Sequence, residues 1–381
     1  MAISRSRISS AVQNAWTRFE TELEFRKSQQ LVKSNHSKVI FCPSDDPVGA
    51  SLLRAYNLVA ELRSLGWNAI CLPKVIKASQ RERLIKQFDP DVLVFQQCRH
   101  ALNDINDSFG YPVVLDTDDA DFHLEIPGLK ERLDRTSRGA VGVMVGSQYL
   151  KEWHLQRCQN TEVIWTGSPS RPGQRKPHSE RDKILVWAQA APLSYTSELK
   201  FVLELDKRLR NAGSDHKLRF YGIGTAEEEA TLRGHFDDAG HVETVEPLSY
   251  DDFLLSLQDA AVGISPIISQ SPFSRGKSFG KILGYLDAWV PSVVSDEADH
   301  AAFFSAETGV VSNDIAVWEE AILRLLDSPD DRTRMASAAF DAFDEHLSLR
   351  AAARKTDRFL RETLSQSKND EREPLASSRS D

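Results

Sequence analysis

The sequence predicts an α/β protein with two doubly wound parallel-sheet domains, and three observations support this. Short apolar segments alternate with amphipathic helical segments, which is typical of parallel sheets covered on both faces. The alternation stops at residues 167–183, GSPSRPGQRKPHSERDK, and then starts again. The chain has 381 residues, enough for two or three domains. We therefore expect ligands at the carboxyl ends of the strands and in a cleft between the two domains.

The positions of the apolar segments give the domain organisation. Predicted strands of the first series lie at 38–42, 68–72, 91–95, 112–116, 141–145 and 163–165, and those of the second at 184–187, 218–221, 242–245, 261–264 and 291–295. From these we predict an N-terminal helical extension at 1–35, a first domain at 36–168, a linker at 169–183, a second domain at 184–346, a further helix at 347–365 and a disordered polar tail at 366–381.

Composition narrows the class of protein. The hydrophobic fraction of 41% and the charged fraction of 27% are typical of a soluble globular protein. A net charge of -9 disfavours non-specific nucleic-acid binding, so no nucleic-acid partner is expected. The four cysteines form no C-x-x-C pair, which predicts reduced thiols rather than a metal site or disulfides. No secretory signal and no apolar run of membrane-spanning length is present, so we expect a cytoplasmic protein.

The N-terminal segment has two interpretations. Residues 8–33 read as a helix with an apolar stripe of Ile8, Val12, Trp16, Phe19, Leu23 and Phe25, flanked by basic residues. The helix either packs on the first domain or binds a partner or the inner face of a membrane as a peripheral element. Three glutamates at 20, 22 and 24 favour packing, because anionic lipid repels them.

The segment 277–295, KSFGKILGYLDAWVPSVVS, predicts an anion-binding element. It reads as a loop, a helix that Pro291 ends, and a buried strand. Lys277 and Lys281 lie four residues apart at the helix entrance, where free backbone N–H groups favour anions. The pair predicts a diphosphate clamp with Ser278 and with Arg275 in support. The alternative is an ordinary amphipathic helix with solvated lysines.

Four motifs, in this order along the chain, give the sequence its resemblance to a known family. It resembles the GT-B glycosyltransferases, and more closely the retaining family-4-like and group-1-like members. The motifs are DPVGAS at 46–51 followed by Arg54, LDTDD at 115–119, VGSQYL at 145–150, and a last region with ISP at 264–266, FSRGKSFGK at 273–281, GY at 284–285 and PSVVS at 291–295.

This resemblance implies two Rossmann-like domains that face a cleft, with a C-terminal helix returning toward the N-terminal domain. It also implies transfer of a sugar from a nucleotide diphosphate sugar to a glycan, a lipid-linked saccharide, a protein or a small molecule, with no cofactor beyond that co-substrate. Retention of configuration and independence of metal are further implications. The donor-binding candidates are Gly49, Gly224, Ser265, Pro266, Arg275, Lys277, Ser278, Lys281 and Tyr285.

The acidic segment after the fourth strand supplies the catalytic candidates, Asp118, Asp119 and His123. A D-x-D sequence holds a divalent ion in a different glycosyltransferase fold, but here it lies in the domain opposite the predicted donor site. We interpret it as an acceptor-side or loop-organising site, with a carboxylate cluster that caps the next turn as the alternative. A surface position for His123 fits equally well.

Two departures from the family pattern define an alternative function. Many relatives carry two glutamates, eight residues apart, where this chain has Gly276 and Gly284. One such glutamate contacts the ribose and the other the sugar. Their absence suggests a non-catalytic GT-B-like binding or scaffold protein. A weaker third hypothesis, glycosyl transfer to modified DNA bases, is disfavoured by the negative charge.

Overall fold

The computed structural model describes residues 5–31, 36–170, 175–268 and 272–370. The chain forms two compact units. The first runs to Gly167 and also includes the segment that begins at Leu349, whereas the second spans Ser168–Ser348. Part of the predicted linker and residues 371–381 of the predicted tail lie outside the described residues.

The first unit has a six-stranded sheet within the described residues. Its strand order is β2-β1-β3-β4-β5-β6, and all neighbouring strands are parallel. The connections run in opposite directions from β1 and β3, which creates a topological switch point at the carboxyl ends of these strands. The strands are β1 Lys38–Pro43, β2 Asn68–Cys71, β3 Val92–Gln96, β4 Val113–Thr117, β5 Gly142–Val145 and β6 Thr161–Val163.

The second unit repeats this plan with a parallel sheet in the order β12-β11-β10-β7-β8-β9. Its switch point lies between β7 and β10. The strands are β7 Ile184–Trp187, β8 Lys217–Tyr221, β9 Val242–Val245, β10 Val262–Ser265, β11 Ser292–Val294 and β12 Val310–Val311. The two doubly wound sheets confirm the predicted fold class.

Helices connect the strands in both units. In chain order they are α1 Arg5–Leu31, α2 Gly49–Ser51, α3 Asn57–Ser64, α4 Ala78–Phe88, α5 Leu129–Gly139, α6 Gln148–Leu155, α7 Thr196–Asn211, α8 Ala226–Arg233, α9 Tyr250–Ser256, α10 Pro272–Arg275, α11 Leu283–Asp287, α12 His300–Phe303, α13 Ile315–Asp327, α14 Pro329–His346 and α15 Leu349–Asp370. A π-helical segment, Leu52–Tyr56, joins α2 to α3. None of the described helices is long and apolar enough to span a membrane.

Helix α15 belongs to the core of the first unit, which confirms the predicted return of the C-terminal helix. Phe359 and Leu360 are buried in the same apolar cluster as Val114 of β4. The Trp67 indole donates a hydrogen bond of 2.7 Å to Asp357. The helix continues to Asp370, five residues beyond the predicted boundary, because no Gly or Pro interrupts it before Pro374.

The helix predicted after the two lysines is present but short. Ser278 has an extended backbone, Phe279–Lys281 forms a single 3₁₀ turn, and only Leu283–Asp287 is α-helical. The Phe279 ring is buried against His300 and Phe303, at centroid distances of 5.8 and 5.5 Å. Lys277 therefore lies in the loop before these turns and not at the N-terminus of an α-helix.

The packing of α15 gives a first prediction. Replacing Phe359 with alanine should lower the free energy of unfolding of the first unit by about 3–5 kcal/mol, because the ring is buried and its loss leaves a cavity. Chemical denaturation followed by circular dichroism measures this. Arg354→Ala, an exposed position on the same helix, is the control and should behave as wild type. Equal stability of the two variants would contradict this packing.

Candidate functional site

Polar side chains in the first unit gather at the carboxyl edge of its sheet. The loops after β1, β3, β4 and β5 all leave the sheet at this edge, because the strands are parallel. Their hydrogen bonds connect the loops to one another: the Ser44 hydroxyl donates to the Gln97 carbonyl over 3.1 Å, and the Ser51 hydroxyl to Gln96 Oε1 over 2.8 Å. The structure therefore assembles one polar site from four separate sequence segments.

A buried ion pair between Arg54 and Asp116 lies under this edge. Arg54 Nε donates to Asp116 Oδ2 at 3.0 Å, and a terminal guanidinium nitrogen donates to Oδ1 at 2.5 Å. The other terminal nitrogen donates to the Ile164 carbonyl at 2.8 Å and to the Thr166 hydroxyl at 3.1 Å. Arg54 lies in the π-helical segment, a backbone feature that often occurs at functional sites. The pair connects this helix to β4 and to the chain beyond β6.

Asp118 is a buried carboxyl group next to this pair. Its Oδ1 accepts a 2.8 Å hydrogen bond from the Gln97 amide. Gln97 has φ +58°, a backbone conformation that non-glycine residues seldom adopt and that is frequent at functional sites. Burial raises the pKa of Asp118 to about 7, with Asp119 adding to the rise and Arg54 opposing it. The group can therefore gain or lose a proton near neutral pH.

Arg99 organises the other carboxylates of the same loop. Its guanidinium binds Asp119 at 2.8 Å and Asp121 at 2.5 Å. Burial raises the pKa of Asp121 to about 6, and the Arg99 charge limits that rise. Among the described side chains, no group of three or more His, Cys, Asp or Glu residues is arranged to hold a metal ion.

His123 is an exposed side chain at the end of this loop. Its Nε2 lies 2.8 Å from the Tyr149 hydroxyl, which comes from the helix after β5. Burial on one side, followed by the charge of Lys130, lowers the pKa of His123. The neighbouring Phe122 ring stacks on Trp153 at 4.6 Å with nearly parallel planes, which supports the loop from below. The catalytic candidates Asp118, Asp119 and His123 thus lie on one loop at the same edge.

Gly49 also lies at this edge of the first sheet. The sequence predicts Gly49 as a donor-binding candidate, whereas the other donor-binding candidates lie in the second unit. It has φ +48° and begins α2, and an added Cβ would meet no atom within 4 Å. The position is therefore open to a molecule that approaches the backbone.

The second unit has an equivalent edge, which Tyr285 supports from inside the core. Its single hydroxyl hydrogen is shared between the carbonyls of Val186 and Ile264, both 3.1 Å from the hydroxyl oxygen, which accepts from the Ala188 N–H at 2.6 Å. Burial raises the pKa of Tyr285 well above its usual range. The ring is fully buried, so this candidate positions the ends of β7 and β10 and does not present its side chain to a ligand.

Lys277 is a nearly buried cation at the switch point of the second sheet. Its Nζ lies 2.5 Å from the Tyr195 hydroxyl and 4.2 Å from the centre of the same ring, with Phe273 at 5.5 Å. Tyr195 belongs to the connection after β7, and Lys277 to the connection after β10. The structure therefore brings this lysine to the switch point without the helix terminus that the sequence predicted.

Other donor-binding candidates surround the same edge. The Ser265 hydroxyl, at the end of β10, is buried without a hydrogen-bond partner in the described residues, and Pro266 follows it. Arg275 lies 3.4 Å from Glu297, which comes after β11. Ser278 is half-buried. The Lys281 side chain lies outside the described side chains.

Glycines shape the end of β8. Gly222 has φ +77°, and an added Cβ would lie 2.2 Å from the Ala190 carbonyl oxygen. Only glycine therefore lets the loops after β7 and β8 approach so closely. The Gly224 N–H donates to Glu228 Oε2 at 2.9 Å, in the capping box that starts α8. Gly224 thus has a local structural role at an exposed position.

Gly284, one of the two positions where relatives carry glutamate, has no room for a side chain. An added Cβ would lie 2.5 Å from the Phe253 ring. Gly276 is buried as well. At position 284 the Phe253 ring therefore occupies the space that a side chain would need.

Sequence reasoning missed Gln97 and Arg99 in the first unit and Tyr195 in the second. Their position in the sequence could have indicated Gln97 and Arg99, because the segment QQCRH at 96–100 places polar residues directly after a buried strand. Residues there reach the carboxyl edge of a parallel sheet whichever motif they form.

The comparison with solved structures agrees with the overall fold. The chain is similar to sucrose-phosphate synthase from Thermosynechococcus elongatus (TM-score 0.64, 12% identity, 87% of this chain and 100% of the other). It is also similar to a glycosyltransferase from Rickettsia africae (TM-score 0.64, 11% identity, 87% and 99%). A third match is Anabaena HepE in complex with UDP-glucose (TM-score 0.63, 12% identity, 86% and 100%).

The chain has the GT-B fold. The matched GT-B structures cover both units, because each match spans most of this chain and nearly all of the other. No protein-family model and no curated protein matches the sequence. At identities of 11–12% the similarity shows the fold, and the function has to be argued from the site.

The Arg54–Asp116 pair gives a second prediction. Asp116→Asn should lower the free energy of unfolding by about 3–5 kcal/mol, because it leaves a buried guanidinium without its counter-charge. Urea denaturation measures the loss. Glu82→Gln removes a carboxylate from an exposed pair with Lys86 and should leave the unfolding midpoint unchanged. A midpoint for Asp116→Asn equal to wild type would show that the pair contributes nothing.

The pKa of Asp118 gives a third prediction. At pH values between the ordinary pKa of an aspartate and about 7, Asp118 is protonated in the folded state and ionised in the unfolded state. The contribution of this group to stability therefore falls as the pH rises through that window. Asp118→Asn removes this dependence, so its melting temperature relative to wild type should be higher at pH 8 than at pH 5. The same difference at both pH values would place the pKa outside this range.

Proposed function

We propose that this GT-B protein transfers a sugar from a nucleotide diphosphate sugar to an acceptor. The donor binds at the carboxyl edge of the second sheet and the acceptor at that of the first. The observation that carries the proposal is Lys277, a nearly buried ammonium group at the β7–β10 switch point of a GT-B fold. A cation screened from water stabilises the charge that develops on a leaving diphosphate far better than an exposed one does.

The chemistry requires few protein groups. The acceptor hydroxyl attacks the anomeric carbon on the face from which the diphosphate departs, the bond from that carbon to the diphosphate oxygen breaks, and the hydroxyl proton leaves. Asp118, with a pKa of about 7, takes this proton, while Asp119 and His123 hold the acceptor. Ser265 and Arg275 add hydrogen bonds to the donor. No metal is part of the proposal, and the family resemblance suggests retention of configuration, with a glycan, lipid-linked saccharide, protein or small molecule as acceptor.

A second candidate function is a GT-B protein that binds a nucleotide sugar without turnover. Gly284 favours it, because the Phe253 ring fills the space that the glutamate side chain of relatives would need. The donor would then lack a carboxylate contact. The two candidates share the donor site and differ in whether nucleotide is released.

The donor site gives a fourth prediction. In a thermal-shift panel of UDP-, GDP-, ADP-, TDP- and CMP-sugars without added metal, one nucleotide should raise the melting temperature by roughly 2 °C or more, because binding stabilises the native state. Lys277→Gln should abolish most of that shift. Lys207→Gln, at an exposed lysine of the same unit, is the matched control and should keep it.

Release of nucleotide then separates the two functions. Release that depends on an added acceptor supports the transferase, and binding without release supports the second candidate. No shift with any nucleotide, or an equal shift in both lysine variants, would contradict the proposed donor site.

A further inference from the structure

Helix α1 exposes an apolar stripe. The side chains of Trp16, Phe19 and Leu23 are 60%, 58% and 43% exposed. They follow one another at intervals of three and four residues, so they lie on one side of the helix. The Trp16 and Phe19 rings are 5.8 Å apart. Three large, exposed apolar side chains together on one side of a helix mark an interaction surface.

A different side of α1 packs on the first unit. Phe25 is buried against Phe88 of α4, with ring centres 5.9 Å apart, and Thr21 is buried beside it. At about 100° per residue, Phe25 lies roughly 160° around the helix from Leu23. Phe25 and Thr21 therefore make the expected packing of the helix on the first domain, whereas Trp16, Phe19 and Leu23 lie exposed on another side.

The charges around the stripe are mainly basic, with the exposed Glu20 next to Phe19 as an exception. Residues 1–19 contain Arg5, Arg7 and Arg18 and no Asp or Glu, although the whole chain has a net charge of -9. Arg26 and Lys27, both exposed, follow Leu23 by one turn. Glu22, one of the acidic residues expected to oppose lipid binding, instead pairs with Arg83 and accepts a 2.8 Å hydrogen bond from Gln80.

We propose that α1 docks on an anionic membrane surface, with Trp16, Phe19 and Leu23 in the interface between headgroups and acyl chains. Aromatic side chains suit this boundary, and neighbouring Arg and Lys side chains reach the lipid phosphates. The occupant is a membrane and not a second copy, because the stripe continues into Arg26 and Lys27. A seam between two helices would need apolar residues there. This proposal is independent of the proposed function.

Vesicle sedimentation with the full chain tests it. Wild type should bind phosphatidylglycerol-containing vesicles, bind pure phosphatidylcholine vesicles more weakly, and lose affinity as salt rises. Trp16→Glu/Phe19→Glu should reduce binding roughly tenfold or more, because it removes both aromatic anchors. Leu255→Glu, at a leucine that is 65% exposed in the second unit, is the matched control and should bind as wild type.

Three results would overturn the proposal. They are absence of binding by wild type, equal binding by the double variant, and equal binding to both kinds of vesicle. Light scattering without lipid tests the competing occupant: a wild-type dimer that the double variant converts to a monomer would assign the stripe to a second copy. Both substituted positions are exposed, so the melting temperature of the double variant should match wild type and rule out misfolding as the cause.

Discussion

The buried ion pair of Arg54 and Asp116 is the constraint on which the first site depends. Two charges removed from water need hydrogen-bond partners to be stable, and here the guanidinium donates four hydrogen bonds. Those partners hold β4, the chain after β6 and the helix after β1 in one arrangement. Asp118, two residues beyond Asp116, is consequently held in a buried position and keeps a proton more readily than an exposed carboxyl group.

In the second unit, an uncharged side chain holds the ends of two strands together. The hydroxyl of Tyr285 joins the ends of β7 and β10 through three hydrogen bonds, so the switch point has a defined shape without any bound molecule. Preorganisation of this kind limits what a ligand has to reorder on binding. Lys277 stands at that switch point against Tyr195, where the aromatic ring stabilises the charge.

The sequence predicted the sheets well because buried parallel strands are continuous apolar runs. It missed β12, whose two residues are too short to show a pattern, and it did not show that a separate 3₁₀ turn, Phe279–Lys281, precedes the short helix Leu283–Asp287. Asp118 and His123 were proposed as site residues because they follow a strand, and the structure places both at the carboxyl edge of the sheet. Gln97 depends on a positive φ, and Glu22 on an arginine 61 residues away, so neither was readable from local sequence.

The position of α15 in the first core has a consequence for synthesis. Phe359 and Leu360 leave the ribosome only after all of Ser168–Ser348, the whole second unit, has been made. The second unit is continuous in the chain and can fold as soon as it emerges, whereas the first must wait with part of its apolar surface uncovered. The usual order, in which the N-terminal domain folds first, is therefore reversed for completion of these two units.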